Sequence, residues 1–267
     1  MSIEPKISAF IITKNEAQRI TKAIESIKDL VEEIIVVDSG STDETVAIAK
    51  ALGAKVVYNE WPGYAKQKAF AESLCINPWV LNIDADEELS VNLKNEIAYI
   101  FASNVQDQYR GYSINFIIMH RSDTKPRCLA PSNRFIRLYN RGFASFGNST
   151  KFSTRDAVTF NKGVDEQKAV HKLFNPAFHY SAVSLEQLVA KANFYSTEQA
   201  NDMIANKRLP SKARVYGEFF IYFFKSFFIR RYFVFGYNGF VDSLIFAFAR
   251  FLRMAKTREF KSKNSSC

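Results

Sequence analysis

The chain has 267 residues, 47% of them hydrophobic and 24% charged, and a formal net charge of +9. That length allows one or two domains with a sizeable core, and the composition excludes a collagenous, low-complexity or largely disordered polypeptide. Three cysteines without a CxxC pair argue against a disulfide scaffold or a structural zinc site and fit a reducing, cytosolic compartment.

The opening MSIEPKISAFIITKNE has no long apolar run and no small-residue cleavage site, so it reads as no signal peptide. Within it, residues 7–12 (ISAFII) read as a buried strand. Residues 17–28 read as a helix with Ile20, Ala23, Ile24 and Ile27 on one face. The run IIVV at 34–37 predicts a second strand, followed by the polar loop 38–42 and a helix over 43–52 capped by Thr42. A strand at 55–58, a helix at 63–74 and a strand at 79–83 follow. Ser90 then caps a helix that runs to about Phe101. Strands alternating with helices of about ten residues predict an α/β fold, a mostly parallel sheet with helices on both faces. Beyond residue 104 the pattern weakens. Strands are predicted at 111–119 and 133–139, loops over 143–163 and a helix over 185–206.

Ligands of such sheets sit beyond the carboxyl ends of the strands. Three polar clusters fall there: 13–16 (TKNE), 38–42 (DSGST) and 84–86 (DAD). Two carboxylates in one turn, Asp84 and Asp86, suit a hard divalent cation that bridges a diphosphate; the other reading is a solvated acidic turn. Neither GxGxxG nor GxxxxGK[ST] is present, so phosphate charge falls to metal and side chains. A phosphatase with a nucleophilic first Asp in DxD is disfavoured, because this DxD follows the fourth strand and Glu87 and Glu88 come next. Arg134 and Arg137, close together on one predicted strand, either meet an anionic acceptor or lie on a solvated sheet face.

The segments 11–16 (IITKNE), 35–43 (IVVDSGSTD) and 82–87 (NIDADE) resemble, in order and spacing, the three nucleotide-sugar motifs of the family 2 glycosyltransferases, which have the GT-A fold. Residues 61–68 (WPGYAKQK) resemble a further segment of the branch that builds the lipopolysaccharide core, whose members are similar to β-1,4-glucosyltransferases. The resemblance implies an inverting, metal-dependent transfer of a sugar, with glucose the first choice, from a UDP-sugar to a lipid-linked saccharide such as the lipopolysaccharide inner core. The alternatives are another glycan acceptor (capsule, exopolysaccharide or protein-linked), or a non-catalytic membrane- or RNA-binding module on the same fold. The roles it implies are a nucleotide-sugar pocket of Thr13, Asn15, Glu16, Asp38, Lys68, Asp84 and Ala85, and a Mg²⁺ or Mn²⁺ ion on Asp86. His179 is either a metal or diphosphate contact or a structural histidine. The general base is Asp156, in a segment where Arg155 stands in place of the branch's histidine, with Asp165 and Glu166 as rivals. On this reading residues 1–105 form the nucleotide-sugar half, 106–206 the acceptor half and 207–267 a basic aromatic helical tail.

That tail holds 13 of the 36 basic residues, 3 of the 27 acidic ones and 13 of the 25 Phe. Its apolar runs are broken by Lys225 and by Arg230 and Arg231, so none spans a bilayer. Aromatic faces flanked by Lys and Arg suit a helix lying on an anionic membrane surface. The expected location is therefore cytoplasmic and peripheral, on the inner face of the cytoplasmic membrane, with no nucleic acid as partner. The competing reading packs these aromatics against the catalytic domain.

Overall fold

In the computed structural model, residues 6–146 and 157–264 are described. The apolar run near the N-terminus forms β1 (Ile7–Thr13), every residue of which is buried. Burial on both faces is what a continuous, rather than alternating, hydrophobic pattern implies. Around it the chain builds α1 (Ile20–Glu25), β2 (Glu33–Asp38), α2 (Thr45–Ala51), β3 (Lys55–Tyr58), α3 (Tyr64–Ser73) and β4 (Trp79–Asn82). A short strand β5 (Glu87–Leu89) precedes α4 (Val91–Ala102), then β6 (Gly111–Ile118), β7 (Ser132–Asn140), β8 (Ala144–Ser145), β9 (Thr159–Phe160), α5 (Glu166–Ala169) and β10 (Val170–His179). Three long helices follow: α6 (Leu185–Ala205), α7 (Lys212–Phe224) and α8 (Tyr237–Asn264).

Eight strands form one mixed sheet in the order β3-β2-β1-β4-β7-β6-β10-β5, and β8 pairs with β9 separately. The first four are parallel, in register Ile12↔Val37 and Thr13↔Asp38 on one side of β1 and Phe10↔Asn82 on the other. β7 joins β4 antiparallel, so the stretches 1–105 and 106–206 share this sheet. The α/β architecture expected from the sequence is present. One core lies between the sheet and α1 and α4, built on Ile11, Ile24, Leu81, Leu93 and Ile97. The other lies on Phe10, Ile35, Val37 and Ala71 of α3.

The link from β4 to β5 reveals the shape of this sheet. Four inter-strand steps separate them, about 19 Å in a flat sheet. The five-residue step from Asn82 to Glu87 contains a tight turn, closed by the Glu87 N–H on the Asp84 carbonyl at 3.0 Å. Such a segment reaches about 14 Å at most. The sheet must curl, and the curl carries the end of β10 back toward the Asp84–Asp86 turn.

Local chemistry explains most helix ends and corrects one. Ser90 Oγ accepts from the Leu93 N–H at 3.2 Å, as expected for an N-cap. Thr42 does not cap α2. Glu44 holds the N-cap position, without a side-chain cap bond; Asp43 Oδ1 just before it accepts from the Thr45 N–H at 3.1 Å, while the Thr42 N–H donates to Asn15 Oδ1 at 2.8 Å. α1 is shorter than its periodicity predicts because Asn15 takes a left-handed φ of 56° and the Glu16 carbonyl closes a turn onto Arg19 and Ile20. Its predicted buried face of Ile20, Ala23, Ile24 and Ile27 is fully buried.

The described chain divides into two compact units. One comprises residues up to 117 with 132–146 and 157–179; the other comprises 118–131 and 180–264. Within the second, α8 packs on α6 and α7. A π-helical turn (Lys225–Ile229) and a 3₁₀ turn (Tyr232–Phe235) connect α7 to α8. Gly239 makes that reversal possible, since a Cβ there would lie 1.8 Å from the Tyr232 carbonyl oxygen. Gly239→Ala is expected to cost about 3 kcal/mol by overpacking against backbone that cannot give. A urea midpoint equal to that of the parent would refute this. No helix among the described residues is long and apolar enough to cross a membrane.

Candidate active site

The carboxyl ends of β1, β2 and β4 present Thr13, Asp38 and the Asp84–Asp86 turn side by side, because the parallel register aligns those ends. At the β2 end the loop is tied to the loop after β1. The Asn15 N–H donates to Ser41 Oγ at 2.8 Å, and the Glu16 N–H donates to Thr45 Oγ1 at 2.8 Å. Asp38 is buried and turned onto its own loop, Oδ2 accepting from the Gly40 and Ser41 N–H groups at 2.8 and 2.9 Å and Oδ1 from the Ser41 hydroxyl. Gly40 adopts a φ of 87°, which lets the loop wrap that carboxylate. Beside it, Thr13 Oγ1 is buried without a hydrogen-bond partner, a polar atom a ligand can satisfy.

Helix α3 bridges the two acidic clusters. Buried Gln67 donates from Nε2 to Ser39 Oγ at 2.9 Å, and the next residue, buried Lys68, sets Nζ 2.8 Å from Asp84 Oδ1. Asp84 Oδ2 accepts from Arg137 Nη2 at 2.7 Å. The same guanidinium donates to Glu87 Oε1 at 2.5 Å and Asn82 Oδ1 at 2.7 Å. Arg137 is thus a buried cation in the acidic cluster and not part of a solvated sheet face. Arg134 is exposed and donates to the carbonyls of Ser113 and Leu173 at 2.8 and 3.1 Å. Ala85 is buried in the turn, where its small side chain joins the core.

Asp86 Oδ2 lies 3.5 Å from His179 Nε2 and 3.6 Å from Arg19 Nη1, and Arg19 also pairs with Glu16 at 2.5 Å. His179 arrives because β10 pairs antiparallel with β5, in register His179↔Glu87. It shares the strand face of Leu173 and Ala177, both buried.

The electrostatics follow from these contacts. Burial opposes the charge on Asp84, but Arg137 and Lys68 on its two oxygens outweigh burial and hold its carboxyl well below the usual range. Burial likewise opposes the charge on Asp86, and His179 and Arg19 overcome it and lower its pKa. Burial also works against a charged His179, yet the Asp86 carboxylate prevails and raises the imidazole pKa. Glu87 goes the other way: burial pushes it up to about 6 against the pull of Arg137, with the Asp84 charge adding to the rise. The result is a set of acidic side chains interleaved with basic ones, so that no buried carboxylate stands without a partner.

No group of three or more acidic, histidine or cysteine side chains poised to hold a metal occurs among the described residues. A two-ligand site does fit. Asp86 and His179 offer one oxygen and one nitrogen from close quarters, and a diphosphate with water can complete the coordination of a hard divalent cation.

The structure does not bring Asp165 and Glu166 to this cluster. Asp165 caps α5, its Oδ1 accepting from the Gln167 N–H at 3.1 Å, and both residues are exposed. They precede the first residue of β10, whose ten residues put His179 about 30 Å away along the strand. Asp156 lies outside the described residues. Arg19, Gln67 and Glu87 join the cluster without having been predicted as site residues, although Glu87 stands next to the DxD.

The glycosyl transferase family 2 model matches residues 8–161. A protein of Rickettsia felis named as an uncharacterized glycosyltransferase is 61% identical over 97% of this chain and 92% of its own length. The lipopolysaccharide core biosynthesis glycosyltransferase LpsC of Rhizobium meliloti is 30% identical over 94% of this chain and 91% of its own. Among solved structures, glucosyl-3-phosphoglycerate synthase of Mycobacterium tuberculosis with Mn²⁺, UDP and glucosyl-3-phosphoglycerate is 26% identical. The match covers 44% of this chain and 45% of that one, with a TM-score of 0.33. The chain therefore spans under half of that enzyme, and too little superimposes to bear on ligands here.

Proposed function

The chain belongs to glycosyl transferase family 2, and on that premise we propose that it transfers a sugar, glucose as the first choice, from a UDP-sugar to a lipid-linked saccharide, with inversion at the anomeric carbon. The acceptor class is supported by the likeness to LpsC across nearly the whole chain. The observation that carries the donor reading is the meeting of Asp84 and Asp86 with Lys68, Arg137, Arg19 and His179 at the strand ends, beside Asp38 and the unsatisfied Thr13 hydroxyl.

In this reading Thr13, Asn15, Glu16 and Asp38 form the nucleotide pocket. Lys68 and Arg137 hold Asp84 ionised and oriented toward the ribose. Asp86 and His179 would hold Mg²⁺ or Mn²⁺, and the ion would supply charge stabilisation for a departing diphosphate. The acceptor hydroxyl is deprotonated as it attacks, and Asp156 is the base that takes its proton. The exposed position of Asp165 and Glu166 at the far end of β10 favours Asp156 over its two rivals. A cytoplasmic enzyme seated peripherally on the inner face of the membrane meets both its nucleotide donor and a lipid-borne acceptor.

Titration calorimetry with UDP, with and without Mn²⁺, tests the donor site. Metal-enhanced binding is expected, and no heat under either condition sinks the proposal. Asp156→Asn is expected to lower turnover about 10³-fold while UDP affinity stays at the parent value. Parent-like turnover by that variant removes Asp156 from the mechanism.

A further inference from the structure

Helix α7 buries a carboxylate and leaves an apolar face exposed. Its buried positions are Val215 and Glu218, and the π-helical turn continues the buried seam with Ser226. Glu218 is held there by Arg250 at 3.3 Å, Arg253 at 3.8 Å and Arg214 at 3.9 Å, and Arg250 covers the Tyr222 ring at 4.7 Å. The opposite side carries Phe220, Ile221 and Phe224, continued by Phe228 and Ile229, each 54% to 75% exposed. Phe224 and Phe228 stack at 5.9 Å, and Phe233, Tyr237 and Phe240 extend the exposed aromatic surface into the reversal and the first turn of α8. A helix side that faces water ordinarily carries polar residues and not a run of phenylalanine and isoleucine. Apolar surface this continuous marks a site that meets something other than water.

Charge identifies the occupant. Between residues 212 and 241 the basic residues are Lys212, Arg214, Lys225, Arg230 and Arg231, and the sole acidic residue is Glu218, which is buried and paired. Two copies of this face pressed together would set Lys225, Arg230 and Arg231 against their own kind with no acid to answer them. An anionic bilayer answers both features: its acyl boundary takes the rings and its headgroups take the cations.

We propose that the surface formed by Phe220, Ile221, Phe224, Phe228 and Ile229 inserts into the interface of an anionic lipid bilayer, with Lys225, Arg230 and Arg231 at headgroup level. The inference rests on the proposed lipid-linked acceptor and deepens it by naming the residues that dock the enzyme where that acceptor resides.

The test is co-sedimentation of the full chain with vesicles of phosphatidylglycerol mixed with phosphatidylcholine, and with vesicles of phosphatidylcholine alone. Binding to the mixed vesicles that weakens with added salt is expected. Phe220→Ser, Phe224→Ser and Phe228→Ser combined are expected to lower partitioning roughly 100-fold. Lys225→Glu with Arg230→Glu is expected to lower it roughly tenfold or more. These side chains face solvent, and circular dichroism matching the parent confirms that the variants fold. A parent that stays in the supernatant with anionic vesicles overturns the proposal. So does a triple variant that binds like the parent, or a dimer in sedimentation equilibrium that the triple variant abolishes. UDP calorimetry on the same preparations separates the two readings. UDP binding without vesicle binding sinks only the membrane face, whereas vesicle binding without UDP binding sinks the donor site.

Discussion

Asp86→Asn is expected to lower kcat/KM for transfer by about 10³-fold or more. On the proposed function, the loss would correspond to several kcal/mol of charge stabilisation on a leaving diphosphate. Asp86 faces both Arg19 and His179, so its negative charge balances the guanidinium and favours a protonated imidazole; on the proposed function it would also supply an oxygen ligand. Asparagine keeps the shape and a carbonyl oxygen but not the charge. The fold is expected to survive, because Ile83, Ala85 and Leu89 of the surrounding segment remain buried in the core. Steady-state kinetics alongside a thermal melt check this. A variant with parent-like kcat/KM removes Asp86 from the donor site, whereas one that fails to fold shows the charge to be structural instead.

Arg137→Met is expected to be the most damaging single change to stability. It leaves Asp84 with one cation instead of two and leaves Glu87, 2% exposed, without its guanidinium partner. Removing one member of a buried charge pair costs about 3–5 kcal/mol, which lowers the melting temperature on the order of 10 °C for a protein of this size. Adding Glu87→Gln to Arg137→Met is expected to restore part of the loss, since it removes one of the two stranded carboxylates. Calorimetric melting of the two single variants and the double variant measures this, and strictly additive losses would show that the pair is not coupled.

These two residues mark the difference between what could and could not be read along the chain. Asp86 was visible because strand-end carboxylates after a buried run are a local pattern. β1, β2 and β4 were visible for the same reason, since strands covered on both faces announce themselves as unbroken apolar runs. Arg137 sits two residues before a fully buried Tyr139 in a strand whose first half is largely exposed, and only the antiparallel pairing of β7 with β4 turns it inward beside Asp84. β5 opens with two glutamates, and β10 contains Asn175 and Pro176; neither looks like a strand until each supplies the other's partner. The exposed phenylalanines of α7 were legible as composition, but not as a face, because only packing on α8 shows that Glu218 takes the inner position.

The curl of the sheet has a consequence for how this site tolerates change in chain length. His179 reaches Asp86 at the end of a ten-residue strand whose successive side chains alternate between the two faces. Substitutions along that strand leave the count intact. Adding or deleting a single residue between Leu173 and His179 would swing the imidazole to the other side and strand Asp86 with Arg19 alone. In lineages descended from this protein, drift in that segment should therefore be written in letters and not in gaps.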